Sequence, residues 1–162
     1  MDELFTPPGA VWRRVSPRLA LVRRLLLAAA AVVVLVAAGV AALLDLVPGA
    51  VLVVVLVLVV ALSAWAWWAI GRSARRWGYA ELDQELYITH GALVRRLVVV
   101  PYARMQYVDV HAGPADQLGG IATVRLHTAS PGTSAVIPGL PVGEAARLRD
   151  RLTARSDTTA GL

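Results

Sequence analysis

Two long apolar runs dominate the first half of the chain, and a period of two replaces them in the second half. LLLAAAAVVVLVAAGVAALL at 25–44 carries no charge over twenty residues, and AVLVVVLVLVVALSAWAWWAI at 50–70 carries none over twenty-one. As helices, each reaches about 30 Å, the thickness of a bilayer's hydrocarbon core. Backbone groups in lipid must be satisfied internally, so runs this long predict two helices in spite of their β-branched valines. Between them, Asp45-Leu46-Val47-Pro48-Gly49 combines a charge, a helix breaker and a permissive glycine, which predicts a tight turn.

From Trp77 onward, short alternating segments are separated by turn residues every eight to twelve positions, a strand-rich pattern. Gly78 to Leu82 and Glu85 to Thr89 read as paired strands joined at Asp83-Gln84, and His90-Gly91 turns the chain into a strand over Ala92 to Val100, ended by Pro101. Gln106, Val108 and Val110 form the expected inward stripe of the next strand, opposite Asp109. Pro114 to Gly120 is a short helical or looped link, and Thr123 to His127 and Ser134 to Ile137 supply two more strands. In PVGEAARLRDRLT, 141–153, a first-turn proline and the spacing of Ala145, Leu148 and Leu152 predict a helix with one apolar face, leaving Arg147, Arg149 and Arg151 in solvent. The expected organisation is a basic segment at 1–24, two transmembrane helices at 25–44 and 50–70, a basic linker at 71–76, a mainly β domain at 77–155 and a disordered tail at 156–162. The domain should be a curved antiparallel sheet closed by one C-terminal helix, small enough that attachment or assembly helps it fold.

Composition sharpens the membrane reading. The 162 residues are 57% hydrophobic with a mean hydropathy of +0.62, too apolar for an ordinary soluble domain. The net charge of +5 belongs to the flanks: residues 1–76 hold eight Arg against Asp2, Glu3 and Asp45, whereas 77–162 hold eight Arg against eight acids. A nearly neutral folded domain lacks the basic stripe that nucleic-acid binding requires. Absence of Cys excludes disulfides, thiol nucleophiles and thiolate metal sites. Arg13, Arg14, Arg18, Arg23 and Arg24 precede the first run, Arg72, Arg75 and Arg76 follow the second, and the turn between has no cation, so the positive-inside rule puts both ends in the cytoplasm. Trp12, Trp65, Trp67, Trp68 and Trp77 fall on that same side. With Arg13, Arg14, Arg72, Arg75 and Arg76 they are the expected interface anchors. A cleaved signal peptide is the alternative for the first run, but that run exceeds the usual ~7 to 15 residues. Small residues from Ala37 to Ala42 could bring the helices close.

Several stretches then point to a family. VWRRVSPR (11–18), WGYAELDQELYITHGAL (77–93), VPYARMQYVDV (100–110), LGGIATVRLHTAS (118–130) and GLPVGEAARLRDRL (139–152), around two apolar runs, resemble the YdbS-like bacterial membrane proteins, which carry a bacterial pleckstrin-homology-like (PH) domain. The pattern Pro-x-x-Arg-x-Gln-x-Val-x-Val at 101–110 is the sharpest part, and Tyr107 stands where relatives often have Asn. The resemblance implies a PH-like split barrel of antiparallel strands capped by a helix. It transfers no catalytic residue, and it implies a partner, since members are often encoded beside a larger membrane protein with several such domains.

Chemistry is sparse. Asp109 and His111 share a strand face and His127 could neighbour them, but no metal-ligand spacing is present, and alternating exposed polar residues explain them. Ser130 and Ser134 lie in a turn without a nucleophile elbow. No catalytic, cofactor or metal residue is therefore assigned. Arg95 and Arg96 are the adjacent basic pair of the domain and the candidates for lipid contact, although alternation sends them to opposite faces, and Glu81, Asp83 and Glu85 make the first strand turn acidic. The expected function is a membrane-anchored, non-enzymatic PH-like interaction module, assembling with itself or with a related PH-domain membrane protein. An anionic headgroup sensor is the second reading and an accessory subunit of a transport system the third.

Overall fold

The computed structural model describes residues 11–128 and 134–160. Two apolar helices form an antiparallel hairpin, α1 (Arg18–Leu43) and α2 (Gly49–Arg76). Both are long and apolar enough to cross a membrane, and none of the most apolar stretch of either is buried within the protein. A core helix of a soluble protein would be covered. Here leucines and valines such as Leu35, Val36, Val53 and Val57 face outward along the hairpin, which is the surface that lipid covers. Asp45 turns the chain at a positive φ of 50° before Pro48 starts α2.

The helices extend past the charge-free runs. α1 begins at Arg18, seven residues before the apolar run, because Leu19 and Val22 are buried in the core of the β domain. α2 continues through 71–76, so that segment is two turns of helix instead of a linker. Its arginines stay helical because Arg72 Nε and Arg76 Nη1 both donate to the Ala92 carbonyl, at 2.9 and 3.0 Å. The N-terminal segment is structured too. Arg13–Arg14 forms a short strand, β1, paired antiparallel with β2 (Gly78–Glu81).

β2, β3 (Glu85–His90) and β4 (Arg96–Pro101) complete a four-stranded sheet in the order β1-β2-β3-β4, and β5 (Met105–His111), β6 (Ile121–Thr128) and β7 (Ala135–Pro141) form a second, three-stranded one. The domain is thus two antiparallel sheets where one curved sheet was expected, as in a split barrel, with the expected C-terminal helix over them. A 3-10 turn at Tyr102–Arg104 carries the chain between them, and helix α3 (Pro114–Leu118) links β5 to β6. β4 starts later than alternation predicts, since Gly91 at φ 122° begins a turn that occupies the residues before Arg96. Gln106 is exposed, not part of the inward stripe, because the β5–β6 register slips between Met105 and Tyr107 and leaves it in a bulge. Val108 and Val110 do pack against the core, half-buried.

Helix α4 (Val142–Ala160) covers the open side, with Ala145, Leu148 and Leu152 buried as the helical spacing requires. It runs on to Ala160, so residues 156–160 continue the helix where a disordered tail was expected. Arg155 fastens that end: its Nη1 donates to the Leu82 carbonyl and, at 3.1 Å, to the Tyr102 hydroxyl, and its guanidinium stacks on the Tyr102 ring. A helix already nucleated and packed adds each further residue at little cost. Around Tyr79, Leu86, Ile88, Val100, Val124, Leu126 and Leu140, a single core joins both sheets, α4 and the start of α1.

Candidate functional site

The sheet register builds a cleft where the hairpin meets the domain. Arg14 pairs with Gly78, and Gly78 with Thr89, so these three residues lie in one row across β1, β2 and β3. The middle position has no side chain. A Cβ there would sit 3.3 Å from the Arg13 carbonyl oxygen, 3.4 Å from Thr89 Cγ2 and 3.5 Å from Trp12 Cε3, so the glycine lets the strands and the indole close into a floor. Arg75 and Arg76 enter from the last turn of α2, and Arg95 from the turn before β4, where its Nε donates to Thr89 Oγ1 at 3.4 Å. With Trp12, Trp77 and Leu93 these residues enclose about 520 Å³. Among the described residues four guanidinium groups line this cleft and no carboxylate does. The Arg14 and Arg75 side chains are exposed and make no hydrogen bond or ion pair among the described residues.

One wall is held from behind. Trp77 stacks on His90, ring centroids 4.8 Å apart. Burial, then the nearby positive charge of Arg96, lowers the His90 pKa below its usual 6.5, which keeps the ring neutral and stacked at physiological pH. The Ala92 carbonyl, gripped by Arg72 and Arg76, fixes the turn that carries Leu93 and Arg95.

The basic and aromatic residues singled out in the sequence therefore divide by task. Arg14, Arg75, Arg76, Arg95, Trp12 and Trp77 come together in the cleft. Arg96 lies outside its lining, at the start of β4 opposite His90. Arg72 spends its Nε on the turn and approaches the Trp68 ring at 5.5 Å. Trp67 and Trp68 are half-exposed, Trp65 is more so, and Arg24 lies 4.7 Å over the Trp67 ring while donating to that residue's carbonyl at 3.4 Å. Gly71 leaves room for the Arg24 guanidinium between the helices.

Arg13 points the other way and belongs to an ion network that composition and alternation do not reveal. Glu144, in the first turn of α4, accepts from Arg13 Nη1 at 2.9 Å, from the Tyr79 hydroxyl at 2.6 Å and from Arg147 at 2.7 and 2.9 Å. Arg147 reaches on to Glu81 at 2.8 Å, and Arg151 to Glu81 at 3.2 Å. Two arginines expected to be solvated thus tie α4 to β2. The Glu144–Arg147 spacing of three in a helix is the one signal of this in the sequence. Hydrogen bonds from Arg147, against the opposing effect of burial, and a further one from Tyr79 hold the Glu144 carboxyl at about 2. Burial, and then the bond to Glu144, raises the Tyr79 phenol well above 10.

Asp109 and His111 stand 3.9 Å apart on the exposed side of β5, and His127 stacks on Tyr107 at 4.2 Å instead of joining them. Among the described residues no three His, Cys, Asp or Glu side chains gather as a metal group would. Ser134 is exposed, and Ser130 lies outside the described residues.

A helix hairpin carrying two small antiparallel sheets and a C-terminal capping helix is the architecture of a membrane-attached PH-like module. The family model for the Bacterial PH domain matches residues 20–156, and the chain belongs to that family. The chain is also similar to the UPF0699 transmembrane protein YdbS of Bacillus subtilis (strain 168), with 39% identity over 77 residues that cover 48% of this chain and 47% of that protein. The chain thus matches about half the length of its curated relative. No solved structure matches it.

Proposed function

We propose that this protein is a non-enzymatic PH module that holds anionic phospholipid headgroups of its own leaflet in the cleft of Arg14, Arg75, Arg76 and Arg95. The observation that carries the reading is the convergence of these four guanidinium groups over a glycine floor, with no acid in the lining among the described residues. Arg75 and Arg76 follow directly on the helix that leaves the apolar run, so a bound phosphate lies at headgroup height. Arginine offers paired donors to phosphate oxygens. Basic residues near an anionic leaflet contribute about 1 kcal/mol each. The same reading puts both flanks of the hairpin on the cytoplasmic side, which the positive-inside rule supports.

The ligand chemistry is an anionic phosphate group, from lipid or from solution, and one experiment separates these sources. Full-length protein carrying Leu93→Cys and an environment-sensitive dye is titrated in detergent with short-chain phosphatidylglycerol, with phosphatidylcholine and with inorganic phosphate. The reading predicts a saturable response to phosphatidylglycerol that high salt reverses. A response to inorganic phosphate alone moves the ligand into solution, and no response to any of the three rejects the site.

The second reading is assembly with a second copy or with a related PH-domain membrane protein. It rests on β4 and β5, which among the described residues are each paired on one side only, and on Tyr107, a large side chain exposed on β5. Such edges accept a strand from a partner. Crosslinking between cysteines placed on β5 within the membrane tests it, and products that depend only on protein density reject it.

A further inference from the structure

A second cleft, lined by the start of α1 and by α3, has a different character. It lies between α1 and α3, encloses about 700 Å³ and is walled by Leu21, Leu25 and Ala29 on one side and Ala115 and Leu118 on the other, with Arg18 at its end. The end of α3 rests directly on α1: a Cβ on Gly119 would fall 2.5 Å from Val22 Cγ2, and one on Gly120 3.1 Å from Arg18 Nη1. Leu118 is 93% exposed, while Leu21 and Leu25 are more than half exposed. Among the described residues nothing covers these apolar side chains.

We propose that this cleft seats one acyl chain of an anionic phospholipid whose phosphate rests on Arg18. The inference rests on the membrane reading of α1 and not on the headgroup reading of the Arg14–Arg95 cleft. Three observations select a lipid over a protein segment. Positions 18, 21, 25 and 29 recur at helical spacing, so they make one stripe over roughly 16 Å of α1. That stripe runs without a break into the apolar run from Leu25 to Leu44, whose side chains face lipid, so the groove is open to the hydrocarbon at one end. At the other end stands a cation: among the described residues the Arg18 side chain makes no hydrogen bond or ion pair and no acid lines the cleft. An apolar trough with one free guanidinium at its polar end is complementary to a phospholipid tail and its anionic phosphate.

The test uses the full-length chain reconstituted with equal phosphatidylglycerol and phosphatidylcholine, extracted in detergent sufficient to strip loosely held lipid, and weighed intact by native mass spectrometry. One phospholipid, mostly phosphatidylglycerol, should stay with the wild type. Ala115→Trp fills the trough and should abolish retention. Arg18→Gln should keep a lipid but lose about fivefold of the preference for phosphatidylglycerol, the worth of one cation near anionic lipid. Arg14→Gln combined with Arg95→Gln should leave this lipid in place. Should Ala115→Trp unfold, a nitroxide on Leu118→Cys gives a second measurement: in nanodiscs, collisions with oxygen should exceed those with a water-soluble nickel chelate. The proposal is overturned by a wild type stripped bare, by retention unchanged in Ala115→Trp, by loss of the lipid in the Arg14–Arg95 variant alone, by a retained mass that is peptide, or by a nitroxide more accessible to the nickel chelate.

Discussion

Leu19 and Gly139 touch across the boundary between the helix hairpin and the β domain: a Cβ on Gly139 would lie 2.6 Å from the Leu19 Cβ. The contact exists because the β6–β7 register slips, Val124 facing Ile137 and Ala122 facing Leu140, which leaves Pro138 and Gly139 opposite Thr123 alone. In that bulge Gly139 adopts a φ of 71°, and its carbonyl accepts the Ser16 N–H at 2.9 Å. Hairpin and domain therefore share one core.

Gly139→Ala should destabilise the domain, since an L-residue at this φ costs about 1–2 kcal/mol before any clash with Leu19 is counted. Leu19→Ala should cost about 2–5 kcal/mol as a buried leucine lost from a core. Thermal unfolding of the full chain in detergent, followed by β-sheet circular dichroism, checks both. Unchanged midpoints would show that α1 only tethers the domain.

Acid should loosen α4 from β2. The Glu144 carboxyl is held at about 2 against an ordinary 4.5. Because the folded value is the lower one, its contribution is complete above about pH 4.5 and is lost as pH falls toward 2. Tyr79 is shifted the other way, so its contribution is complete below pH 10 and is lost only in strong alkali. Glu144→Gln should lower stability at pH 7 and flatten the acid limb between pH 4.5 and 2. An acid limb as steep in Glu144→Gln as in the wild type would assign it to other carboxylates.

The hairpin, the strands and the apolar face of α4 are legible in the sequence because each is a run or period of hydrophobic residues. Leu86, Ile88, Val124, Leu126 and Leu148 fall inside as their spacing requires. The element ends are less so. Nothing local in 71–76 distinguishes a linker from a helix, since the contact that stabilises it is with Ala92, twenty residues away. The bulges at Gln106 and at Pro138-Gly139 are set by partner strands, and so is the split into two sheets. The cleft was half visible. Arg14, Arg75, Arg76 and Arg95 stand out as cations, but only the pairing of Arg14 with Gly78, across the whole hairpin in sequence, brings Arg14 to the others.

The β5 register gives a sharp contrast. Val108 packs against the core and Asp109 is exposed beside it. Val108→Asp should cost several kcal/mol by forcing a carboxylate toward apolar neighbours, while Asp109→Ser should be nearly silent. Equal denaturant midpoints for the two variants would contradict the register.

Orientation is open to chemical labelling, because the chain has no Cys of its own. Pro48→Cys, in the turn of the hairpin, should react with an impermeant thiol reagent in intact cells. Leu93→Cys should react only after permeabilisation. Labelling of position 93 in intact cells would reverse the topology.

The central claim is that the cleft of Arg14, Arg75, Arg76 and Arg95 holds an anionic headgroup, and photocrosslinking from within it is the most direct test. A benzophenone attached at Leu93→Cys in the full-length protein is activated in nanodiscs of equal phosphatidylglycerol and phosphatidylcholine, and the lipid adducts are identified by mass. The account predicts phosphatidylglycerol adducts in large excess. Arg14→Gln with Arg95→Gln should reduce that excess roughly thirtyfold, the worth of two cations at about 1 kcal/mol each. Adducts in the proportion of the two lipids supplied, unchanged by removing the arginines, would contradict it.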